Sequence, residues 1–133
     1  MVSEAKTIMV VEDEVTLLQV IAKKLKVSGY STITCISAKQ AIDYLKNLDE
    51  NPTAIWLDYY LPEMSGMDFM VEISNNAKWR SIPVIVVSNS AGEEKKKAMF
   101  ALGAKKYLLK AQYRLDDIVK IIDEVITENQ KSV

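Results

Sequence analysis

Two hydrophobic patterns alternate along the chain. Five short β-like runs, TIMVV from Thr7, STITCI from Ser31, AIWL from Ala54, PVIVV from Pro83 and KYLL from Lys106, are separated by stretches with helical spacing. The first, third and fourth runs are almost wholly apolar, as strands covered on both faces should be. Leu18, Ile21, Ala22 and Leu25 recur at i, i+3, i+4 and i+7, and that helix is expected to stop near Gly29. Leu115, Ile118, Val119, Ile122 and Ile126 repeat the pattern near the end of the chain. Ser37 with Gln40, and Ser90 with Glu93, have the spacing of capping boxes, while Gly103 suits the position just past a helix. Strict β-α alternation predicts an α/β fold: a doubly wound parallel sheet of five strands with five helices on its two faces and right-handed crossovers.

Composition changes this picture mainly by exclusion. The 133 residues are enough for one domain with its own core, so residues 1–133 are expected to form one unit. Its core is placed at about 6–127, and the polar tail 128–133 is expected to fray. Seventeen basic against 18 acidic residues leave a net charge of −1, which points neither to nucleic acid nor to a membrane surface. Cys35 is the only cysteine, so no internal disulfide can form and a reducing compartment fits. The start MVSEAKT lacks the apolar core of a signal peptide, and no apolar run approaches the roughly 18 residues of a membrane span. Histidine is absent, which removes imidazole bases and histidine-ligated zinc.

Chemistry collects where the strands are expected to end. In open α/β sheets, sites form beyond the carboxyl ends of strands, where the strand order reverses. Glu12, Asp13 and Glu14 follow the first run, Asp58 the third, Ser88 the fourth and Lys110 the fifth. Asp13 and Asp58, with Glu12 as a further donor, offer hard oxygen ligands suited to Mg²⁺. Aspartate can accept a phosphoryl group as an acyl phosphate, and a metal, a lysine and a hydroxyl could stabilise the transferred oxygens. Taken singly, several of these residues have plainer roles. Asp13 could cap the first helix, Ser88 could shape a turn, Lys110 could be a solvated charge, and Glu12 and Glu14 could favour a helix N-terminus. Asp58 has no such role, because it ends an apolar run. The joint pattern at four strand ends favours one site.

At these residues the chain resembles a response-regulator receiver domain, the phosphoacceptor module of two-component signalling. The matching pieces are MVVEDE, WLDYYLPEMSGMDF, PVIVVSNS and GAKKYLLK, in family order, and the similarity runs from about Lys6 to Thr127. The resemblance is to single-domain, chemotaxis-regulator-like members with a flavodoxin-like receiver fold and strand order 2-1-3-4-5. It implies that Asp58 is the phosphoacceptor, loaded from a histidine kinase or phosphotransfer protein. It further implies Mg²⁺ as cofactor, bound by Asp13 directly, by Glu12 through water, by Asp58 and by the backbone carbonyl of Tyr60. Ser88 and Lys110 would contact phosphoryl oxygens, and Tyr107 would be the rotating aromatic switch, although it could equally be an ordinary strand aromatic. A downstream protein target would dock on the face of the fourth helix, fifth strand and fifth helix, with no direct role for nucleic acid or membrane. That face includes Lys95, Lys96, Lys97, Lys105 and Lys106, which form either a solvated charge run or a basic docking patch. The location implied is cytoplasmic. Such a protein is no conventional enzyme, catalysing only its own phosphorylation and autodephosphorylation.

Departures from the family pattern sharpen the expectations. Alanine follows Lys110 where the family has proline, often after a cis bond. A non-proline cis bond costs roughly 2.5–4 kcal/mol. The chain is therefore expected to carry either a strained cis Lys110–Ala111 bond or a trans loop that moves the lysine. Asn89 replaces the usual small residue, and Tyr60 is bulkier than is common, so the two could screen attacking water and change phosphoryl lifetime. Ser88 for threonine and Glu12 for aspartate are mild changes. Tyr60 also stands where aspartate-based hydrolases commonly carry a second acid, which argues against that class. A nucleotide-binding flavodoxin-like fold lacks its glycine-rich loop here, since EDEV would repel phosphate unless a metal intervened. A phosphorylation-independent interaction module of the same fold is the remaining alternative.

Overall fold

The computed structural model describes residues 6–90 and 92–131. Its strands are β1 (Thr7–Val11), β2 (Ser31–Cys35), β3 (Ala54–Asp58), β4 (Val84–Ser88) and β5 (Lys106–Leu109). The helices are α1 (Val15–Val27), α2 (Ala38–Asn47), α3 (Gly66–Ser74), α4 (Glu93–Ala101) and α5 (Leu115–Lys131), with a 3-10 turn over Lys110–Gln112. All strands pair in parallel in the order β2-β1-β3-β4-β5, as expected. The strand order reverses beside β1 and β3, so the loops after those two strands diverge and leave a crevice between them.

Alternation along each central strand feeds two separate cores. Met9, Val11, Ile55, Leu57, Val84 and Val86 face Ile42, Leu45, Phe69, Met70 and Met99 of α2, α3 and α4. Ile8, Val10, Trp56, Ile85 and Val87 face Ile21, Leu25, Ile118 and Ile122 of α1 and α5. β1, β3 and β4 are covered on both sides, which explains their unbroken apolar sequence, whereas the edge strand β2 is largely half-exposed. Cys35 ends β2 in the core, and burial pushes its thiol up to about 12, so it packs as a protonated apolar residue.

Helix ends follow local chemistry, with two departures from expectation. Gly29 and Gly103 take φ of 99° and 104° just past α1 and α4. Their helices close with paired backbone bonds, Tyr30 N to Leu25 O and Ala104 N to Met99 O, each 3.0 Å. Ser37 caps α2 by accepting from Gln40 N, but the Gln40 side chain accepts from Ile36 N. Ser90 does not cap α4. Gly92 occupies that place and Ser90 is engaged elsewhere. The full capping box is Ser65 with Asp68, at the start of α3. At the polar end of the chain, α5 runs through Lys131, the last described residue. Val125 and Ile126 are buried, which anchors the last turns of the helix. No helix among the described residues is long and apolar enough to cross a membrane.

Candidate functional site

Glu12 and Asp58 lie where β1 and β3 run out, and both are buried, at 2% and 4% exposure. By the two-residue period they continue the rows Ile8–Val10 and Ala54–Trp56, so adjacent strands deliver them to the same edge. Asp13 is exposed next to Glu12. One carboxylate oxygen from each of Glu12, Asp13 and Asp58 lies within 4.8 Å of the others. Lys110, at the end of β5, reaches back across the sheet edge. Its ammonium is 2.9 Å from Glu12 Oε1 and 3.6 Å from Asp58 Oδ2.

The Lys110–Ala111 expectation is overturned. No peptide bond among the described residues is cis, and Lys110 still stands beside Asp58. Lys110 begins a trans 3-10 turn directly after β5, with Ala111 in its middle, and the long lysine stem carries the ammonium back to Glu12 and Asp58.

Charge at the site is unbalanced. Burial first, then the Glu12 charge, raises the Asp58 carboxyl to about 7, although Lys110 pulls the other way. Asp58 Oδ1 is buried and has no hydrogen-bond partner among the described residues. Burial also opposes ionisation of Glu12. The Lys110 hydrogen bond and charge and the Glu14 amide outweigh it, leaving that carboxyl below its usual value. Lys110 loses by burial but gains more from the two acids, so its ammonium is held more firmly than usual. Three carboxylates and one ammonium leave negative charge in excess, and an orphaned buried oxygen faces it. A hard divalent cation suits such a set of donors.

Ser88 ends β4, fully buried, next to β3 in the sheet. Its Oγ accepts from Ser90 N at 3.2 Å, which leaves its proton free to donate. Tyr107 is buried, and its hydroxyl donates to Ser90 O at 3.1 Å. Tyr60 turns its ring outward, 45% exposed, and its hydroxyl lies 2.6 Å from Ser90 Oγ. Lys95 of α4 hydrogen-bonds the same hydroxyl and lies over the Tyr59 and Tyr60 rings, 5.5 and 4.8 Å from their centroids. Lys95 therefore belongs to the site's border rather than to an open run of charges.

Sequence reasoning missed Gly66. A Cβ there would lie 2.8 Å from Asp58 O and 2.9 Å from Tyr59 Cα, and Gly66 N donates to Tyr59 O at 2.9 Å. The start of α3 is pressed against the backbone that carries Asp58. The available signal was a lone glycine, in SGMDF, shortly after Pro62. We expect Gly66→Ala to destabilise the fold by roughly 1–3 kcal/mol, read by urea unfolding, because backbone rather than a flexible side chain must yield. A wild-type midpoint would contradict this close approach.

The family model described as the response regulator receiver domain matches residues 8–123. The two-component response regulator ORR3 of Oryza sativa is 30% identical over 119 residues, covering 90% of this chain and 89% of that protein. The polar-differentiation response regulator DivK of Brucella ovis is 32% identical over 93 residues, covering 68% of this chain and 74% of its own. A CheY-like response regulator receiver domain protein from Methanospirillum hungatei has a TM-score of 0.88 at 22% identity, covering 98% of this chain and 100% of that one. A receiver domain protein from Clostridium thermocellum gives 0.86 at 23% identity, covering 96% and 99%. The two structural likenesses speak for the fold alone.

Proposed function

The chain belongs to the response-regulator receiver-domain family, and from that premise we propose that it is a stand-alone phosphoacceptor module with Asp58 as acceptor. Receiver domains take phosphate from histidine kinases or phosphotransfer proteins and serve as signalling modules, not as conventional enzymes. The observation that carries the assignment is a buried carboxylate with one unpartnered oxygen, ringed by two further acids and a lysine.

In the transfer, an Asp58 oxygen forms a bond to phosphorus as the bond from phosphorus to the donor imidazole nitrogen breaks, and the imidazole keeps the electron pair. Glu12, Asp13 and Asp58, with the Tyr60 carbonyl, would hold Mg²⁺, which when bound offsets the charge of the phosphoryl oxygens. Lys110 is within reach to pair with one of those oxygens, and the free Ser88 proton can be donated to another. Ser88 holds Ser90 by its amide, and Ser90 holds Tyr107, so a shift of the Ser88 hydroxyl is passed to the buried aromatic. The output surface is assigned to α4, β5 and α5, where Lys96, Lys97, Lys105 and Lys106 would meet an acidic protein target. α4 buries only Met99 among its residues, which suits an element that must move.

The test is incubation with Mg²⁺ and acetyl phosphate, followed by intact mass spectrometry. The expected result is one phosphate adduct in the wild type, none in Asp58→Asn and none in EDTA. An adduct that survives in Asp58→Asn would refute the acceptor. No adduct in the wild type would favour the phosphorylation-independent interaction module.

A further inference from the structure

The two edges of the sheet are not alike. β5 spans four residues and begins with Lys106, and a short edge carrying lysine resists further strand pairing. β2 reads Ser-Thr-Ile-Thr-Cys, five residues with neither charge nor proline, and three of them are β-branched. Nothing in its own sequence blunts it.

The backbone of that edge is only half used. Ser31 N donates to Lys6 O at 2.9 Å, and Cys35 O accepts from Glu12 N at 3.0 Å. In a parallel pair of this register, Ser31, Ile33 and Cys35 spend their amides and carbonyls on β1. Thr32 and Thr34 turn theirs to the open side, where no hydrogen bond reaches them among the described residues. Donors and acceptors repeating every two residues match the backbone of another extended chain.

The surface beside the edge says which side chains such a chain needs. Ile33 and Cys35 pack on the α2 side of the sheet, so Thr32 and Thr34 point to the α1 side. There Thr34 joins one stripe of α1, Val15, Leu18, Ala22, Lys23 and Lys26, around a groove of about 460 Å³. The apolar part of the stripe starts level with the carboxyl ends of β1 and β2, with Val15 52% exposed, and the lysines lie toward the strand starts. Both lysines are exposed and neither forms an ion pair among the described residues, although Lys24 between them pairs with Asp116. A second copy of this chain, paired through its own β2, would offer the groove only threonines and leave the lysines of both copies unmatched.

We propose that the β2 edge and the α1 groove form a docking site for an extended segment of a partner protein. The segment adds a strand antiparallel to β2, the slightly more stable pairing, with apolar and then acidic side chains turned to α1. Backbone pairing supplies affinity, and the apolar-to-acidic order supplies selectivity. Neither element carries Asp58, so the site stands apart from the phosphoacceptor assignment.

The probe is a fluorescein-labelled peptide, Thr-Val-Thr-Val-Thr-Glu-Thr-Glu, titrated by anisotropy at low ionic strength, where the charge contribution is largest. Wild type is compared with the Lys23→Glu, Lys26→Glu double variant, whose folding is checked by circular dichroism. A second peptide carries lysine at both glutamate positions. Amide hydrogen exchange followed by NMR reports whether the peptide joins the sheet. The expected result is saturable binding of the acidic peptide to wild type, weakened roughly tenfold or more in the double variant, with the reverse preference for the basic peptide. Exchange at Thr32 and Thr34 should slow roughly tenfold or more in the complex. No binding to wild type, binding indifferent to the charge reversal, or binding that leaves those two amides unprotected would each overturn the site. Dimerisation of wild type without peptide that protects the same amides would also overturn it, because a second copy would then be the occupant.

Discussion

Asp58→Asn is expected to raise the melting temperature of the protein in EDTA by roughly 5–10 °C at about pH 8, a gain of roughly 2–3 kcal/mol. The wild-type fold holds a carboxyl whose proton it retains up to about 7, chiefly because of burial and then because of Glu12. The unfolded chain releases that proton near the usual carboxylate value of about 3.9. Between those values the native state binds more protons than the unfolded state, so the Asp58 contribution lowers stability as pH rises and levels off above about 7. Asparagine is neutral throughout, and its amide can donate to Glu12. Its advantage should vanish near about pH 4 and grow to a plateau above about 7, as read by thermal melts across that range. A constant difference at every pH would show that Asp58 is not strained by its charge. Adding Mg²⁺ should shrink the difference by stabilising the wild type alone.

Lys110→Met should have the opposite and similarly large effect. The ammonium lies 2.9 Å from Glu12 and 3.6 Å from Asp58, and both acids are almost fully buried. Removing one partner from a buried ionic group leaves uncompensated charge, which costs roughly 3–5 kcal/mol when burial is complete. Because the Lys110 side chain is itself 21% exposed, water lessens the loss, and we expect roughly 2–4 kcal/mol at about pH 8 by urea unfolding. Part of that deficit should return with Asp58→Asn in the same chain, since the two substitutions act on one charge cluster. Strict additivity would mean that Lys110 and Asp58 do not sense each other. In phosphorylation assays, the same variant should load slowly even where it is folded.

These outcomes separate what was legible from what was not. The five strands, their parallel pairing and both helix faces followed from where apolar residues recur, because burial on one face or two leaves a periodic trace, whereas the strand order came only with the family resemblance. Glu12, Asp13, Asp58 and Lys110 were legible because each stands at a strand end, and strand ends of one sheet must share an edge. Ser90 was misread as a cap for α4, because a serine three residues before an acid has the same spacing whether or not its hydroxyl is free. Lys95 was grouped with its neighbours in a lysine run. Nothing in that run distinguishes the one whose side chain turns toward an aromatic pair.

The Lys110–Ala111 bond teaches the same lesson from the other side. Loss of the expected proline suggested a cis bond or a displaced lysine, but neither was needed, because a flexible stem lets the ammonium reach Glu12 from a trans turn. Local pattern determined the sheet, the helices and the charged edge, since each depends on residues a few positions apart or on a shared strand direction. Tertiary packing alone decided that Gly66 must lack a Cβ and that the Tyr60 hydroxyl is hydrogen-bonded to Ser90 and Lys95. Those contacts join residues of different loops, and the physics that selects them is steric and angular rather than periodic.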